Sequence, residues 1–166
     1  SDTLGMPRIQ LFLNFEKLMS DESVQKMREF VVRRGKREPV QYITGTAEFH
    51  NVRLKVDKRA LIPRPETEIL VDTALGILRN WSQKRPEKVW SVADLGCGSG
   101  TIAIAVAKGM EGKVAVTAVD MSEDALSLAR ENAAGSGAEQ AITFVRSRRR
   151  TKRLRSPRGA CDRVTS

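Results

Sequence analysis

The chain has 166 residues, 40% of them hydrophobic and 30% charged, which suits one domain, or one small domain and part of another. The chain has only two cysteines, Cys97 and Cys161, and one histidine, His50, which are too few for a disulfide framework or a metal site. It has no secretory signal and no apolar run of ~18 residues, which predicts a cytoplasmic protein without membrane spans. The net charge of +9 is concentrated in residues 146–166, where nine Lys/Arg and one Asp give +8, so that 20 basic and 19 acidic residues remain elsewhere.

Residues 1–45 are predicted to form a partial helical domain. In the segment after Ser20 and Asp21, either of which can cap a helix, apolar residues recur at helical spacing: Val24, Met27, Phe30 and Val31. We expect this helix to end at Gly35 and its apolar stripe to face a core.

Residues 46–62 are predicted to form a hairpin linker. Val52, Leu54 and Val56 alternate with basic residues, as in a strand with one buried face. The preceding apolar residues, together with a turn at His50 and the next residue, supply the partner strand.

Residues 63–145 alternate between helical and strand patterns. Pro65 suits the first position of a helix. Strands are expected at 89–95, 114–119 and 142–145, with helices at 101–110 and 122–134 between them. This alternation predicts an α/β fold with a parallel sheet, right-handed crossovers and the strand order 3-2-1.

A glycine-rich turn connects the first of these strands to its helix. In "DLGCGSGT", Gly96, Gly98 and Gly100 occupy alternate positions, which permits a sharp turn and a close approach of a ligand to the backbone. Asp120 ends the next strand, where a carboxylate can accept hydrogen bonds from both ribose hydroxyls. The pattern therefore favours a ligand with an adenosine-like end over an ordinary turn.

Two cofactor classes compete for this loop. A dinucleotide fingerprint requires G-x-G-x-x-G, but its third glycine would fall on Thr101. The observed G-x-G-x-G, with Asp94 two residues before it, resembles the first motif of class I methyltransferases, which bind S-adenosylmethionine. Cys97 and Ser99 occupy the intervening positions. A helix N-terminus can lower the pKa of a thiol such as Cys97, but we favour its interpretation as a small, unreactive loop residue.

Four strings together closely resemble the release factor glutamine methyltransferases, the HemK/PrmC family. They are "REPVQYITGTAEF", "LIPRPETEILVDTAL", "VADLGCGSGTIAIA" and "VTAVDMSEDALSLARENA", in the order found in that family. The resemblance runs from Pro7 to Val145. It implies a small helical domain, a hairpin linker and a Rossmann-like class I methyltransferase domain, of which residues 63–145 would be the N-terminal half.

The resemblance also implies an activity and a site. The activity is N5-methylation of the glutamine in the Gly-Gly-Gln motif of peptide chain release factors, with S-adenosylmethionine as donor and the release factors as partners. Asp94 would lie near the methionine end of the cofactor, and the other binding residues would be Gly96, Cys97, Gly98, Ser99, Gly100 and Asp120. Arg64 and Glu66 would lie near the pocket; a hinge salt bridge or a helix cap is the alternative for these two. Gln41 and Tyr42 are expected to pack the joint between domains.

The sequence departs from the family in ways that bear on catalysis. The family orients its substrate amide with an Asn-Pro-Pro-Tyr motif, which is absent from these 166 residues, so we assign no catalytic residue and expect a truncated chain that is inactive alone. The basic residues 146–166 are expected to be a disordered, non-native ending; a nucleic-acid arm with non-specific binding and a localisation signal are the alternatives. The alternative functions are another N-methyltransferase, acting on DNA adenine or protein glutamine, and a non-catalytic nucleic-acid-binding module.

Overall fold

The computed structural model of the chain describes residues 3–147. The predictions of a disordered, non-native ending therefore lie almost entirely outside the described residues. Three helices open the described part: α1 (Arg8–Leu13), α2 (Asp21–Gly35) and α3 (Val40–Thr44). Ser20 caps α2, because its side chain accepts a hydrogen bond from the Ser23 backbone N–H at 3.3 Å.

The apolar stripe of α2 does not face a core. Within the described residues no side chain of α2 is buried, and Val31 is 70% exposed. The helix is joined to the segment after it by Arg33, whose guanidinium donates to the Glu38 carboxylate at 2.7 and 2.8 Å and to the Tyr42 carbonyl at 3.1 Å. The expectation of a core-facing stripe was wrong, since helical spacing shows which side of a helix is apolar but not what covers that side.

An antiparallel hairpin follows, formed by β1 (Thr46–Phe49) and β2 (Val52–Lys55). The predicted two-residue turn is confirmed: His50 and Asn51 both have positive φ, 46° and 60°. Positive φ at both turn positions matches the right-handed twist of two short strands. The inward-facing residues of β2 are buried as predicted.

The rest of the described chain forms a three-stranded parallel sheet with helices. In chain order the elements are α4 (Glu66–Lys84), β3 (Trp90–Leu95), α5 (Thr101–Gly109), β4 (Val114–Asp120), α6 (Glu123–Ser136), a 3-10 turn (Glu139–Ala141) and β5 (Ile142–Arg146). The strand order is β3-β4-β5, with β4 in the middle. The predicted parallel sheet and its strand order are confirmed.

One face of this sheet carries the core. Side chains of α4, α5 and α6, including Leu75, Ile104 and Leu126, share one buried cluster with the strands. The alternate residues of β3 are exposed, and Leu95 keeps 63% of its surface accessible. Within residues 3–147, then, the sheet is covered on one face only.

Charged residues join the hairpin segment to α6. Glu131 accepts from Lys55 Nζ at 2.6 Å and from Arg59 Nη1 at 2.6 Å, and Arg59 also donates to Asp57 at 2.8 Å. These hydrogen bonds lower the pKa of the Glu131 carboxyl from its usual 4.5 to about 2.

Glu131→Gln is expected to reduce the acid sensitivity of folding. Because the pKa of Glu131 is depressed in the folded chain, its ionised form adds stability above pH ~4.5 that is lost as the pH falls towards 2. The side chain is 39% exposed, so solvent screening keeps the effect small. Urea unfolding at pH 7 and pH 3 should show a smaller difference in the variant than in the parent chain. Glu123→Gln, on the same helix with Arg130 as partner, is the control, and an unchanged difference in Glu131→Gln would contradict the expectation.

Candidate cofactor-binding cleft

The glycine loop between β3 and α5 turns through left-handed backbone conformations. Gly96, Gly98 and Gly100 have φ of 85°, 53° and 80°. The backbone N–H groups of Gly96 and Cys97 donate to the Val119 carbonyl at 2.7 and 3.0 Å, which holds the loop against the end of β4. Positive φ at all three glycines explains why side chains are excluded there.

Asp120 lies at the carboxyl end of the central strand, directly against this loop. Its Oδ2 accepts from the Gly98 backbone N–H at 2.9 Å, and its Oδ1 accepts from the Ser122 backbone N–H at 3.0 Å. Each carboxylate oxygen retains a further lone pair for a ligand. The carboxylate is therefore held in one orientation before any ligand binds.

Asp94 lies behind the loop, with 9% of its surface exposed. Its Oδ2 accepts a hydrogen bond at 3.2 Å from the backbone N–H of Ala103, which is the third residue of α5. Because Gly100, at the N-cap of α5, has no side chain, Asp94 takes over the capping of that helix. Burial, and secondarily the nearby Asp120, raise the pKa of the Asp94 carboxyl.

A cleft of about 430 Å³ opens beside the loop and Asp120. Six of the predicted site residues line it: Arg64, Gly96, Cys97, Gly98, Ser99 and Asp120. Asp94, Gly100 and Glu66 are not among the residues that line it. Gly100 instead contacts the helix layer, where a Cβ would lie 3.0 Å from the Ala129 Cβ.

The opposite side of the cleft is formed by residues 59–64, which we call the connecting wall because they lead from the hairpin to α4. The Tyr42 hydroxyl donates to the Ala60 carbonyl at 3.0 Å, which ties the wall to α3 as expected for a joint residue. A Cβ on Gly98 would lie 4.0 Å from the Ala60 Cβ, so wall and loop are neighbours. Sequence reasoning treated residues 46–62 as a linker and missed Phe49, Arg59 and Ala60 as cleft residues. The available signal was their position in or next to two of the family strings, since Phe49 ends the first string and Ala60 directly precedes the string that starts at Leu61.

Cys97 is a buried thiol in the loop, 7% exposed. Burial raises its pKa to about 12, and the carboxylates of Asp94 and Asp120 act in the same direction. The thiol is therefore protonated at neutral pH, in agreement with its interpretation as an unreactive loop residue.

Other parts of the described chain show fewer features of a cofactor or metal site. A larger cleft of about 730 Å³ lies between residues 5–7, α3, the hairpin and the start of α4, and Gln41 lines it; neither the glycine loop nor Asp120 contributes to it. Residues 3–147 contain no group of three or more His, Cys, Asp or Glu placed to hold a metal ion. None of the helices described is long and apolar enough to cross a membrane.

Comparisons with known proteins agree with this geometry. Residues 1–45 match the family described as PrmC N-terminal domain, and residues 92–166 match the family described as Methyltransferase domain. Three similar relatives, each named release factor glutamine methyltransferase, come from Rhodopirellula baltica (39% identical), Geobacter sulfurreducens (41%) and Chlorobaculum tepidum (40%). The matches cover 86%, 83% and 86% of this chain and 47%, 45% and 48% of the relatives.

The parallel sheet, the glycine loop with its acidic partner and the domain match define a class I methyltransferase, a class that uses S-adenosylmethionine. Within that class, the chain belongs to the release factor glutamine methyltransferase family, which confirms the resemblance seen in the four strings. It spans about half the length of the curated relatives it matches.

Proposed function

We propose that this chain binds S-adenosylmethionine in the cleft between the glycine loop and the connecting wall, as the cofactor-binding part of an enzyme that methylates a glutamine side chain of release factors. The observation that carries the proposal is the Asp120 carboxylate, fixed by two backbone N–H groups at the cleft. The two hydroxyls of a ribose present two donors to such a carboxylate.

The loop residues would hold the rest of the cofactor. Gly96, Cys97, Gly98 and Ser99 line the cleft, and their backbone is open to close approach. Gly100 would act by shaping the loop, and Asp94 by fixing the start of α5 close to the methionine end. Arg64 lines the cleft from the connecting wall, and Glu66 begins α4 just beyond it.

The start of α5 supports this cofactor over a dinucleotide. A pyrophosphate binds at a helix N-terminus through free backbone N–H groups. At the start of α5, the Ala103 N–H is already used by the Asp94 carboxylate, and Asp120 is a second anion nearby. The Asp94 carboxylate therefore occupies part of the helix start that a pyrophosphate would need, whereas S-adenosylmethionine carries no phosphate.

Methyl transfer to glutamine needs more than cofactor binding. S-adenosylmethionine supplies a methyl group on a sulfonium, but an amide nitrogen is a poor nucleophile and must be oriented towards it. The family resemblance assigns that orientation to an Asn-Pro-Pro-Tyr motif, which these 166 residues lack. We therefore expect the chain to bind the cofactor without transferring its methyl group. A release factor substrate also supports a location in the cytoplasm.

Isothermal titration calorimetry tests the proposal. The 166-residue chain should bind S-adenosylhomocysteine, the stable product form of the cofactor, and should not bind NAD⁺ under the same conditions. Incubation with methyl-labelled S-adenosylmethionine and a release factor should leave the release factor unlabelled. Binding of NAD⁺ alone would overturn the choice of cofactor, and labelling would overturn the expectation that these residues are inactive alone.

A further inference from the structure

The side chain of Asn132 connects three parts of the molecule that are distant in sequence. It lies on α6 with only 5% of its surface exposed. Its Oδ1 accepts from the Lys55 backbone N–H at 2.7 Å, and its Nδ2 donates to the Lys55 carbonyl at 3.1 Å. The same Nδ2 donates to the Ser99 carbonyl at 3.0 Å. One amide group thus joins α6, the end of the hairpin and the glycine loop.

The chemistry at this position requires an amide. Nδ2 faces two carbonyl oxygens, which only accept, and Oδ1 faces a backbone N–H, which only donates. A carboxylate of the same size has no proton to donate, and an aliphatic side chain has neither donor nor acceptor. Buried polar groups that lose their partners are costly, so each of these three bonds contributes to holding the segments together.

The two segments joined by Asn132 lead directly into the two sides of the cleft. Ser99 lines the cleft from the glycine loop, and Lys55 lies four residues before Arg59, where the connecting wall begins. Arg59 is itself held to α6 by the neighbouring residue Glu131, at 2.6 Å. Glu131 and Asn132, which are adjacent on α6, therefore hold the hairpin and the connecting wall. Asn132 also donates a hydrogen bond to the glycine loop, whereas Glu131 does not contact it.

We propose that Asn132 is a positioning residue that sets the separation of the glycine loop and the connecting wall, and so controls cofactor affinity without touching the cofactor. This inference rests on the proposed function for its binding readout. Loss of the Asn132 amide would let the hairpin and the loop move apart, and the cleft would have to be reassembled with each binding event. The hairpin is then a part of the cofactor site and more than a linker.

Calorimetry on three variants tests the inference. Asn132→Asp keeps the size but removes both donors, and Asn132→Ala removes the amide; Leu78→Ala, in the core contributed by α4 and away from the cleft, is the matched control for general destabilisation. At a temperature where all variants are folded, both Asn132 variants should bind S-adenosylhomocysteine about tenfold more weakly than the parent chain. Leu78→Ala should lower the melting temperature and leave the affinity unchanged.

Hydrogen–deuterium exchange of the ligand-free chain separates this inference from the proposed function. In Asn132→Ala, the peptides covering residues 96–103 and those covering 55–62 should both exchange faster than in the parent chain. Leu78→Ala should not produce this paired increase in exchange rate. If the parent chain fails to bind S-adenosylhomocysteine, the proposed function falls and the exchange result still decides the role of Asn132. Unchanged affinity in both Asn132 variants, or no paired increase in exchange, would overturn the inference.

Discussion

Gly100→Ala is expected to destabilise the fold by about 2–4 kcal/mol. A Cβ at this position would lie 3.0 Å from the Ala129 Cβ and 3.3 Å from the Ile104 Cδ1, so that it would overpack the contact between the loop and α6. In addition, φ is 80°, which costs energy for any residue with a Cβ. Urea unfolding monitored by circular dichroism measures the change in the free energy of unfolding.

Gly137→Ala is the matched control for this experiment. Gly137 ends α6 with a φ of 70°, but nothing lies within 4 Å of the Cβ it would carry. Its substitution should cost only the energy of placing a residue with a Cβ at positive φ, about 1 kcal/mol. The difference between the two variants isolates the packing cost at Gly100. Equal losses of unfolding free energy in both variants would show that the close approach to Ala129 does not contribute to the destabilisation.

Asp120→Asn should weaken cofactor binding by roughly 100-fold. The carboxylate oxygens accept from the Gly98 and Ser122 backbone N–H groups and retain lone pairs for two ribose hydroxyls, whereas an amide has a single acceptor oxygen. Losing charge-assisted hydrogen bonds to both hydroxyls costs about 3 kcal/mol, equivalent to that factor. Titration with S-adenosylhomocysteine measures the loss.

Asp124→Asn provides the comparison for Asp120→Asn. Asp124 is an exposed acid in the first turn of α6, close in sequence but outside the cleft lining. Its substitution removes the same charge from the chain and should leave the affinity within twofold of the parent. If Asp124→Asn weakened binding as much as Asp120→Asn, net charge and not the fixed carboxylate would account for the affinity.

Local patterns predicted much of the fold. The alternation of residues 52–56 predicted β2, and the polar pair His50 and Asn51 predicted the turn, because a two-residue hairpin turn depends on the conformations of those residues themselves. The strand–helix alternation predicted the parallel sheet and its order, because right-handed crossovers leave few alternatives.

Patterns failed where an element depends on a distant neighbour. The apolar residues of α2 suggested a buried stripe, yet that helix has no buried side chain in the described structure. Spacing cannot report which surface a helix meets, because that is settled by packing between segments far apart in sequence. The same limit hid Arg59 and Ala60, the first residues of the connecting wall, whereas Arg64 belongs to a family string and was expected near the pocket.

The sequence by itself determined the family of this protein, the glycine loop and the acid at the end of β4, since each depends on a short string with its own backbone or hydrogen-bonding requirement. Only the tertiary structure decided that Asp94 caps α5, that Arg59 and Ala60 line the cleft together with Arg64 and that Asn132 joins the loop to the hairpin. These roles depend on distances between segments that are remote along the chain, and such distances are fixed when the helices and the hairpin pack on the sheet.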